Sequence, residues 1–261
     1  RHVVVIFGGE ATSLLGDTWE YDGNTWSQVQ TADAPPARQD SAMAYDSQRN
    51  VMVLFGGWDD ATYLGDTWEY DGSDWTEVAG AAPSPRVEHA MAYDASRGVV
   101  VLMGGSGGGD PQNQTWEYDG TWTENVTGAY PGGRARHAMA YDASRGVVVL
   151  NGGWDDDPTT WEYAGTDWVE AAPPHHPSAR VAAAMAYDSN AQRVVLMGGY
   201  ASSTVLDDTW TYDGTDWSDL GAATSRPAPR YRSQLVYDTV ERRLLMFGGD
   251  GFADEASSSL W

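Results

Sequence analysis

The sequence predicts an all-β fold, namely a β-propeller of four-stranded antiparallel blades with six blade equivalents, or seven if the chain is partial. Three observations support this prediction. A set of markers recurs every 46 to 50 residues along the chain. Each period holds four short strand-like segments, and no segment has helical periodicity of useful length. Four short strands in a repeat of about 40–50 residues are typical of a propeller blade.

Five markers define the repeat: a Gly-Gly pair, two tryptophans, a Tyr-Asp pair and an arginine. The Gly-Gly pair closes an apolar run at 8–9, 56–57, 104–105, 152–153, 198–199 and 248–249. The first tryptophan follows at 19, 68, 116, 161, 210 and 261, and the second at 26, 75, 122, 168 and 217. The arginine stands seven residues before each Tyr-Asp pair, at Arg38, Arg86, Arg134, Arg180 and Arg230. Markers that share one period predict one structural unit repeated along the chain.

In the second repeat, the four strands A to D are predicted at 41–45, 51–55, 66–70 and 74–78. Strand B is a continuous apolar run, as expected for a strand covered on both faces. Strand C alternates polar and aromatic residues, and Asp71-Gly72 is a tight-turn signal between C and D. We expect a structural role for several repeated residues, represented by Gly56, Gly57, Trp68, Trp75, Tyr93 and Asp94.

We expect residues 1–261 to form a single propeller. Its predicted blade segments are approximately 1–30, 35–78, 84–126, 134–171, 178–220 and 228–261, of which the first and last are incomplete. An open blade edge exposes unpaired backbone groups. We therefore expect either that the natural chain continues on both sides or that a second copy supplies the missing strands.

The blade markers resemble those of one propeller family. Phe55-Gly56-Gly57, the segment Asp66-Thr-Trp68-Glu-Tyr70-Asp71-Gly72 and Trp75 resemble the kelch repeat, in the galactose-oxidase central-domain variant of bacterial and archaeal surface proteins. The resemblance covers the whole chain and implies the propeller fold. It leaves function open, because kelch propellers serve as binding scaffolds and as enzymes. The copper oxidases of this broad group need a Cys–Tyr cross-link, which a chain without Cys cannot form.

Composition excludes several classes of function. The chain has 15 Arg, no Lys and 38 acidic residues, so its formal net charge is −23. This charge disfavours nucleic acid and anionic membrane surfaces as partners. The absence of Cys excludes disulfides, Cys-ligated zinc and thiol nucleophiles, and no apolar run approaches the ~18 residues of a membrane span. We expect an extracellular or cell-surface location, without a signal peptide in this segment.

We expect a ligand site on the face that carries the B–C and D–A loops, because these loops vary between repeats. The candidates in the B–C loops are Trp58, Asp59, Asp60, Trp154, Asp155, Asp156 and Tyr200. Those in the D–A loops are Arg38, Arg86, Arg136, Arg180, Arg230, His89 and His137. Aromatic faces beside carboxylates and guanidinium groups suit a glycan, and a protein or peptide is the other expected ligand. Alternatively, the tryptophans close the blade ends and the Asp side chains are merely solvated.

Some of these residues have a second interpretation. The repeated arginines have two possible roles. We favour a structural role, in which each guanidinium group hydrogen-bonds to backbone carbonyls or to Asp, over a ring of cations that binds an anionic ligand. Asp155, Asp156 and Asp157 are candidate Ca²⁺ ligands, but the spaced Asp-x-Asp-x-Asp-Gly loop is missing and solvated acidic loops are favoured. His89 and His137 begin successive A strands and fit polar lining better than a zinc site. We therefore expect no cofactor beyond a possible Ca²⁺.

These observations favour a secreted or surface-exposed, non-catalytic binding or scaffold module. One alternative is a carbohydrate-active enzyme, such as a sugar epimerase or mutarotase, and another is a structural subunit that self-assembles through open-ended blades. Catalysis is less expected, because no nucleophile–base pair or paired-carboxylate motif can be assigned. Asn113 and Asn125 fit the N-glycosylation acceptor pattern, which matters if the protein is exported.

Overall fold

The fold consists of antiparallel sheets throughout its described part. The computed structural model describes residues 2–154, 157–221 and 227–251. The chain divides into two compact units, Arg1–Val126 and Thr127–Trp261. The described ranges contain no helix, so none of their residues forms a helical membrane span. The all-β prediction is confirmed.

The first unit holds three sheets, whose strands are paired in chain order. The first sheet has three strands, β1 (Val4–Phe7), β2 (Thr18–Tyr21) and β3 (Trp26–Val29). The second has four strands, β4 (Ala42–Asp46), β5 (Val51–Trp58), β6 (Tyr63–Tyr70) and β7 (Trp75–Val78). The third also has four, β8 (Ala90–Asp94), β9 (Val99–Met103), β10 (Thr115–Tyr118) and β11 (Trp122–Asn125).

The second unit continues the pattern. One four-stranded sheet contains β12 (Ala138–Asp142), β13 (Val147–Asn151), β14 (Thr160–Tyr163) and β15 (Trp168–Ala171). The next contains β16 (Ala184–Asp188), β17 (Arg193–Met197), β20 (Thr209–Tyr212) and β21 (Trp217–Asp219), with the hairpin β18 (Tyr200–Ala201) and β19 (Thr204–Val205) inserted between β17 and β20. The last sheet has two strands, β22 (Gln234–Asp238) and β23 (Arg243–Phe247).

The blade number differs from the prediction. The described residues form five blades of three or four strands, whereas six or seven were expected. In the described part of the sixth predicted segment, 228–261, the strands are the pair β22–β23. Its predicted C strand ends at Trp261, and residues 252–261 lie outside the described part of the chain.

Strands β5 and β6 are longer than the sequence predicts. They continue past the Gly-Gly pair through an irregularity between Phe55 and Gly57, so that Trp58 pairs with Tyr63. Sequence analysis ended strand B at residue 55 and placed Trp58 in the B–C loop. A bulge accommodates the pair, since both glycines have positive φ, 66° for Gly56 and 111° for Gly57.

The core lies between neighbouring sheets and is built by the D-strand tryptophan. Trp75 is almost fully buried, packs edge-on against Phe7 at 5.2 Å between ring centroids, and donates its indole N–H to Thr18 Oγ1 at 2.8 Å. Trp122 donates to Thr67 Oγ1 in the same way, also at 2.8 Å. In both pairs one sheet receives a large aromatic side chain from the next sheet, and the indole N–H, which is the only donor of that side chain, is satisfied.

The C-strand tryptophan packs at the edge of this core. Trp68 is half-buried at the edge of the same cluster, and its indole N–H donates to Asp66 Oδ2 at 2.7 Å.

Candidate ligand-binding site

The B–C and D–A loops come together through backbone pairing in both units. In four of the five repeats the residue after the repeated arginine forms a bridge with the residue after the Gly-Gly pair, as in Gln39 with Trp58 and Val181 with Tyr200. Trp154 N likewise donates to Ala135 O at 3.1 Å. The candidate aromatic residues Trp58, Trp154 and Tyr200 therefore occupy one equivalent blade position, close to the start of the A strands.

The repeated arginines are buried parts of the framework. Arg38 is fully buried and binds both carboxylate oxygens of Asp66 at 2.7 Å, while its Nη1 also donates to Gly56 O at 2.9 Å. Burial alone would raise the pKa of Asp66, but the Arg38 guanidinium outweighs it and holds this pKa below its ordinary value of 3.8. Arg180 repeats the arrangement with Asp208 and Gly198 O.

The same contacts explain why arginine and the Gly-Gly pair recur together. The second glycine of one blade donates its N–H to the arginine carbonyl of the next blade, as in Gly57 N to Arg86 O at 2.9 Å and Gly199 N to Arg230 O at 2.9 Å. A Cβ on Gly56 would lie 2.6 Å from Arg86 O. Glycine is therefore required for the close approach of two backbones. These contacts support the structural interpretation of the arginines.

Arg86 differs from Arg38 and Arg180, because its guanidinium group donates to neutral acceptors and not to a carboxylate. Its side chain donates to Gly104 O at 2.9 Å, Ser84 O at 2.9 Å and Gln114 Oε1 at 2.9 Å. Burial lowers the pKa of Arg86 to about 10. Neighbouring His89 is buried edge-on against Phe55, and burial together with the Arg86 charge lowers its pKa to about 3. His89 is thus a neutral imidazole inside the protein, and His137 is buried at the equivalent position.

In the first unit, the candidate loop after β5 is a compact turn. Trp58 packs on Tyr63 at 4.8 Å between ring centroids. Asp59 accepts hydrogen bonds from the backbone N–H groups of Ala61 at 2.9 Å and Thr62 at 2.6 Å, which lower the pKa of its carboxyl group. Asp60 completes the turn with a φ of 72°. Asp59 therefore caps its own turn in this structure.

In the second unit, several candidates gather around a cavity of about 230 Å³. The cavity is lined by Arg136, Val181, Ala182, Tyr200, Tyr231 and Arg232. The rings of Tyr200 and Tyr231 lie 5.6 Å apart. The Arg136 guanidinium carbon lies 5.5 Å from the centre of the Trp154 ring, and that of Arg232 lies 5.9 Å from the centre of the Tyr231 ring.

Sequence analysis identified three members of this cluster, Arg136, Trp154 and Tyr200, and missed Tyr231, Arg232 and Ala182. The missed residues carry no repeat marker. An alignment of the repeats with one another could have identified Ala182 and Arg232. They take the same position as Arg136, two residues after the repeated arginine.

The calcium candidates are only partly described. Asp155 and Asp156 lie outside the described residues. Asp157 accepts hydrogen bonds from Arg134 Nη2 at 2.9 Å and from Thr159 N at 2.8 Å. Within the described ranges no group of three or more His, Asp or Glu side chains is placed to hold a metal ion. A Ca²⁺ site at 155–157 stays a prediction.

A second cavity, of about 580 Å³, lies away from the candidate residues. It is largely apolar and is bounded by β17 and β20 on one side and by β22–β23 on the other. Its lining includes Thr209, the equivalent of Thr18 and Thr67, which accept the indole N–H of the next blade. The cavity therefore corresponds to the core position that tryptophan fills between other blades.

Repeated antiparallel blades joined by an aromatic core define a β-propeller repeat protein. The model of the KLHDC2/KLHL20/DRC7 Kelch-repeats domain matches residues 1–164. That span exceeds half of the 261 residues, so the chain belongs to the Kelch-repeat family and is a kelch-repeat β-propeller. No curated protein matches the chain. The galactose-oxidase-like variant stays a prediction.

Membership in this family indicates a binding or scaffold module, because kelch propellers typically mediate protein–protein interaction.

Proposed function

We propose that this chain is a non-catalytic binding module that binds a glycan through the cavity lined by Tyr200, Tyr231, Arg136 and Arg232. The cavity is the single observation that carries the proposal. Ligand sites are concave, with aromatic walls and a few polar groups that fix orientation. Here two tyrosine rings form a wall and two guanidinium groups supply hydrogen-bond donors. A glycan ligand also fits the expected extracellular or cell-surface location.

The backbone around the cavity favours a glycan over an extended peptide. Peptides that add to a sheet edge bind mainly through main-chain hydrogen bonds. The N–H groups of Val181 and Tyr200 instead donate to each other's carbonyls, at 3.0 and 2.9 Å. The N–H groups of Tyr231 and Asp250 also donate to each other's carbonyls, at 3.1 and 2.9 Å. Recognition at this cavity must therefore depend on side chains.

A glycan array, followed by calorimetric titration of the sugars that bind, tests the proposal. We expect Tyr200→Ala and Tyr231→Ala each to weaken binding roughly five- to tenfold, which is the size of an aromatic stacking contribution. Tyr45→Ala is the matched control, because Tyr45 is an exposed tyrosine beside the A–B turn, at the other end of the strands. Its binding should equal that of the wild type.

Two results would overturn the proposal. Loss of binding in Tyr45→Ala, but not in the cavity variants, would place the ligand elsewhere. Conversion of the bound sugar, followed by nuclear magnetic resonance of the ligand, would show that the module is an enzyme, as an epimerase or mutarotase would be.

A further inference from the structure

The cavity arises from a difference between repeats at one position. Arg136, Ala182 and Arg232 are equivalent residues of three successive blade segments, and all have a left-handed backbone, with φ of 60°, 53° and 58°. They are tied together by backbone bonds, from Ala182 N to Arg136 O at 2.7 Å and from Arg232 N to Ala182 O at 2.9 Å. In the first unit the same position holds Asp40 and Glu88.

Alanine in the middle of this row leaves the space open. The equivalent positions elsewhere carry long or charged side chains, whereas Ala182 has only a methyl group. The cavity of about 230 Å³ is lined by this methyl group and by the two flanking arginines. Two guanidinium groups therefore border one gap, with Tyr200 and Tyr231 as its wall.

Both guanidinium groups lie near aromatic rings. Arg136 lies over Trp154 and Arg232 over Tyr231. A guanidinium group that stacks on an aromatic face has a fixed plane, and its fork geometry matches a carboxylate in a bidentate way. Arg232 Nη1 lies 3.9 Å from Asp250 Oδ2, and both side chains are about two-fifths exposed. The two groups form an ion pair without a hydrogen bond, so a ligand carboxylate would compete with Asp250 for Arg232.

From this arrangement we infer that the cavity selects glycans with a carboxylate group, such as a terminal hexuronate. The inference rests on the proposed function and specifies its ligand class. The carboxylate would bind between Arg136 and Arg232 above Ala182, and the sugar ring would contact the tyrosine faces. The site thus brings two arginines together, one of them paired with Asp250, in a protein whose net charge is −23.

The test is a calorimetric comparison of two oligosaccharides that differ only in the terminal residue, glucuronate or glucose. A charge-assisted hydrogen bond strengthens binding by about tenfold or more. We expect the wild type to bind the glucuronate ligand at least about tenfold more tightly. Arg232→Gln should reduce this preference to within about threefold and leave the affinity for the glucose ligand unchanged.

A second variant tests the gap itself. Ala182→Asp would fill the space and place a carboxylate between the arginines, so glucuronate binding should be lost. The backbone can accept this change, because Asp40 occupies the equivalent position with a φ of 54°. Arg242→Gln is the charge-matched control, since Arg242 is exposed in the turn between β22 and β23, at the other end of the strands.

The possible outcomes are distinguishable. Equal affinity for the two sugars, with binding still sensitive to Tyr200→Ala, would overturn the carboxylate inference and leave the glycan proposal standing. If neither these two oligosaccharides nor any glycan of the array binds, the glycan proposal and the carboxylate inference are both wrong. Tighter binding of an acidic peptide than of the glucuronate ligand, with the same dependence on Arg232, would also overturn the inference. An equal effect of Arg242→Gln would show that overall charge alone causes the preference.

Discussion

At the scale of single residues, the buried histidine of the first unit gives a pH-dependent prediction. Burial and the Arg86 charge lower the pKa of His89 from 6.5 to about 3. Between these values the unfolded chain binds a proton that the folded chain does not, so the free energy of unfolding falls as the pH falls below 6.5. The loss reaches about 2 kcal/mol at pH 5.

The matched variant is His89→Ser, because serine occupies the equivalent blade position at Ser41 and Ser233. Urea unfolding at pH 7.5 and pH 5 measures the effect. The variant should lose about 2 kcal/mol less than the wild type between the two pH values. Carboxylates such as Asp66, whose pKa is held below 3.8, contribute little in this range. The same pH slope in both proteins would contradict the placement of His89 in the interior.

At the scale of the blade, the Gly-Gly pair gives a prediction on stability. Gly56 has a φ of 66°, and a Cβ there would lie 2.6 Å from the backbone oxygen of Arg86. Gly56→Ala therefore requires both a strained backbone and a shift of the next blade. We expect the free energy of unfolding to fall by more than about 1 kcal/mol, measured by chemical denaturation.

Gly109→Ala is the control for this element. A Cβ on Gly109 would meet nothing within 4 Å, and its φ is not in the positive range that L residues avoid. The free energy of unfolding of Gly109→Ala should stay within about 0.5 kcal/mol of the wild-type value. Comparable losses in the two variants would show that the Gly-Gly contact is not the reason for the repeated pair.

The same element shows what sequence could and could not predict. Gly56, Arg38 and Trp75 were recognised because each recurs with the repeat, and a repeated constraint is visible in one sequence. The cavity was predicted only in part, since Arg136 and Tyr200 were candidates and Ala182 was not. Ala182 is unremarkable alone and becomes informative only once its backbone bonds to Arg136 and Arg232 are known.

The number of blades could not be predicted from the sequence either. Counting Gly-Gly pairs gives six segments, since the pair reports strand B alone. A blade also needs its outer strands, which are stabilised by hydrogen bonds to strand B and by the tryptophan of strand D. The segment from 228 has its two inner strands in the described residues, so the marker count exceeds the blade count.

At the scale of the whole molecule, the dominant feature is the net charge of −23. Self-repulsion of like charges destabilises a compact state, and salt screens it. The Debye length falls from about 30 Å at 0.01 M to about 8 Å at 0.15 M ionic strength. The buried pairs, such as Arg38 with Asp66, are screened much less than exposed charges. We therefore expect Tm to rise by a few degrees between 0.01 and 0.15 M NaCl.

Differential scanning calorimetry measures this shift. An uncharged osmolyte at equal osmolality is the control, because it does not screen charge. The rise should level off near physiological ionic strength, since the Debye length changes most at low salt. A fall in Tm with added salt would mean that attractive, partly exposed pairs, such as Arg49 with Glu69 and Arg97 with Glu117, outweigh the excess of carboxylates. The charge excess would then have no measurable cost to folding.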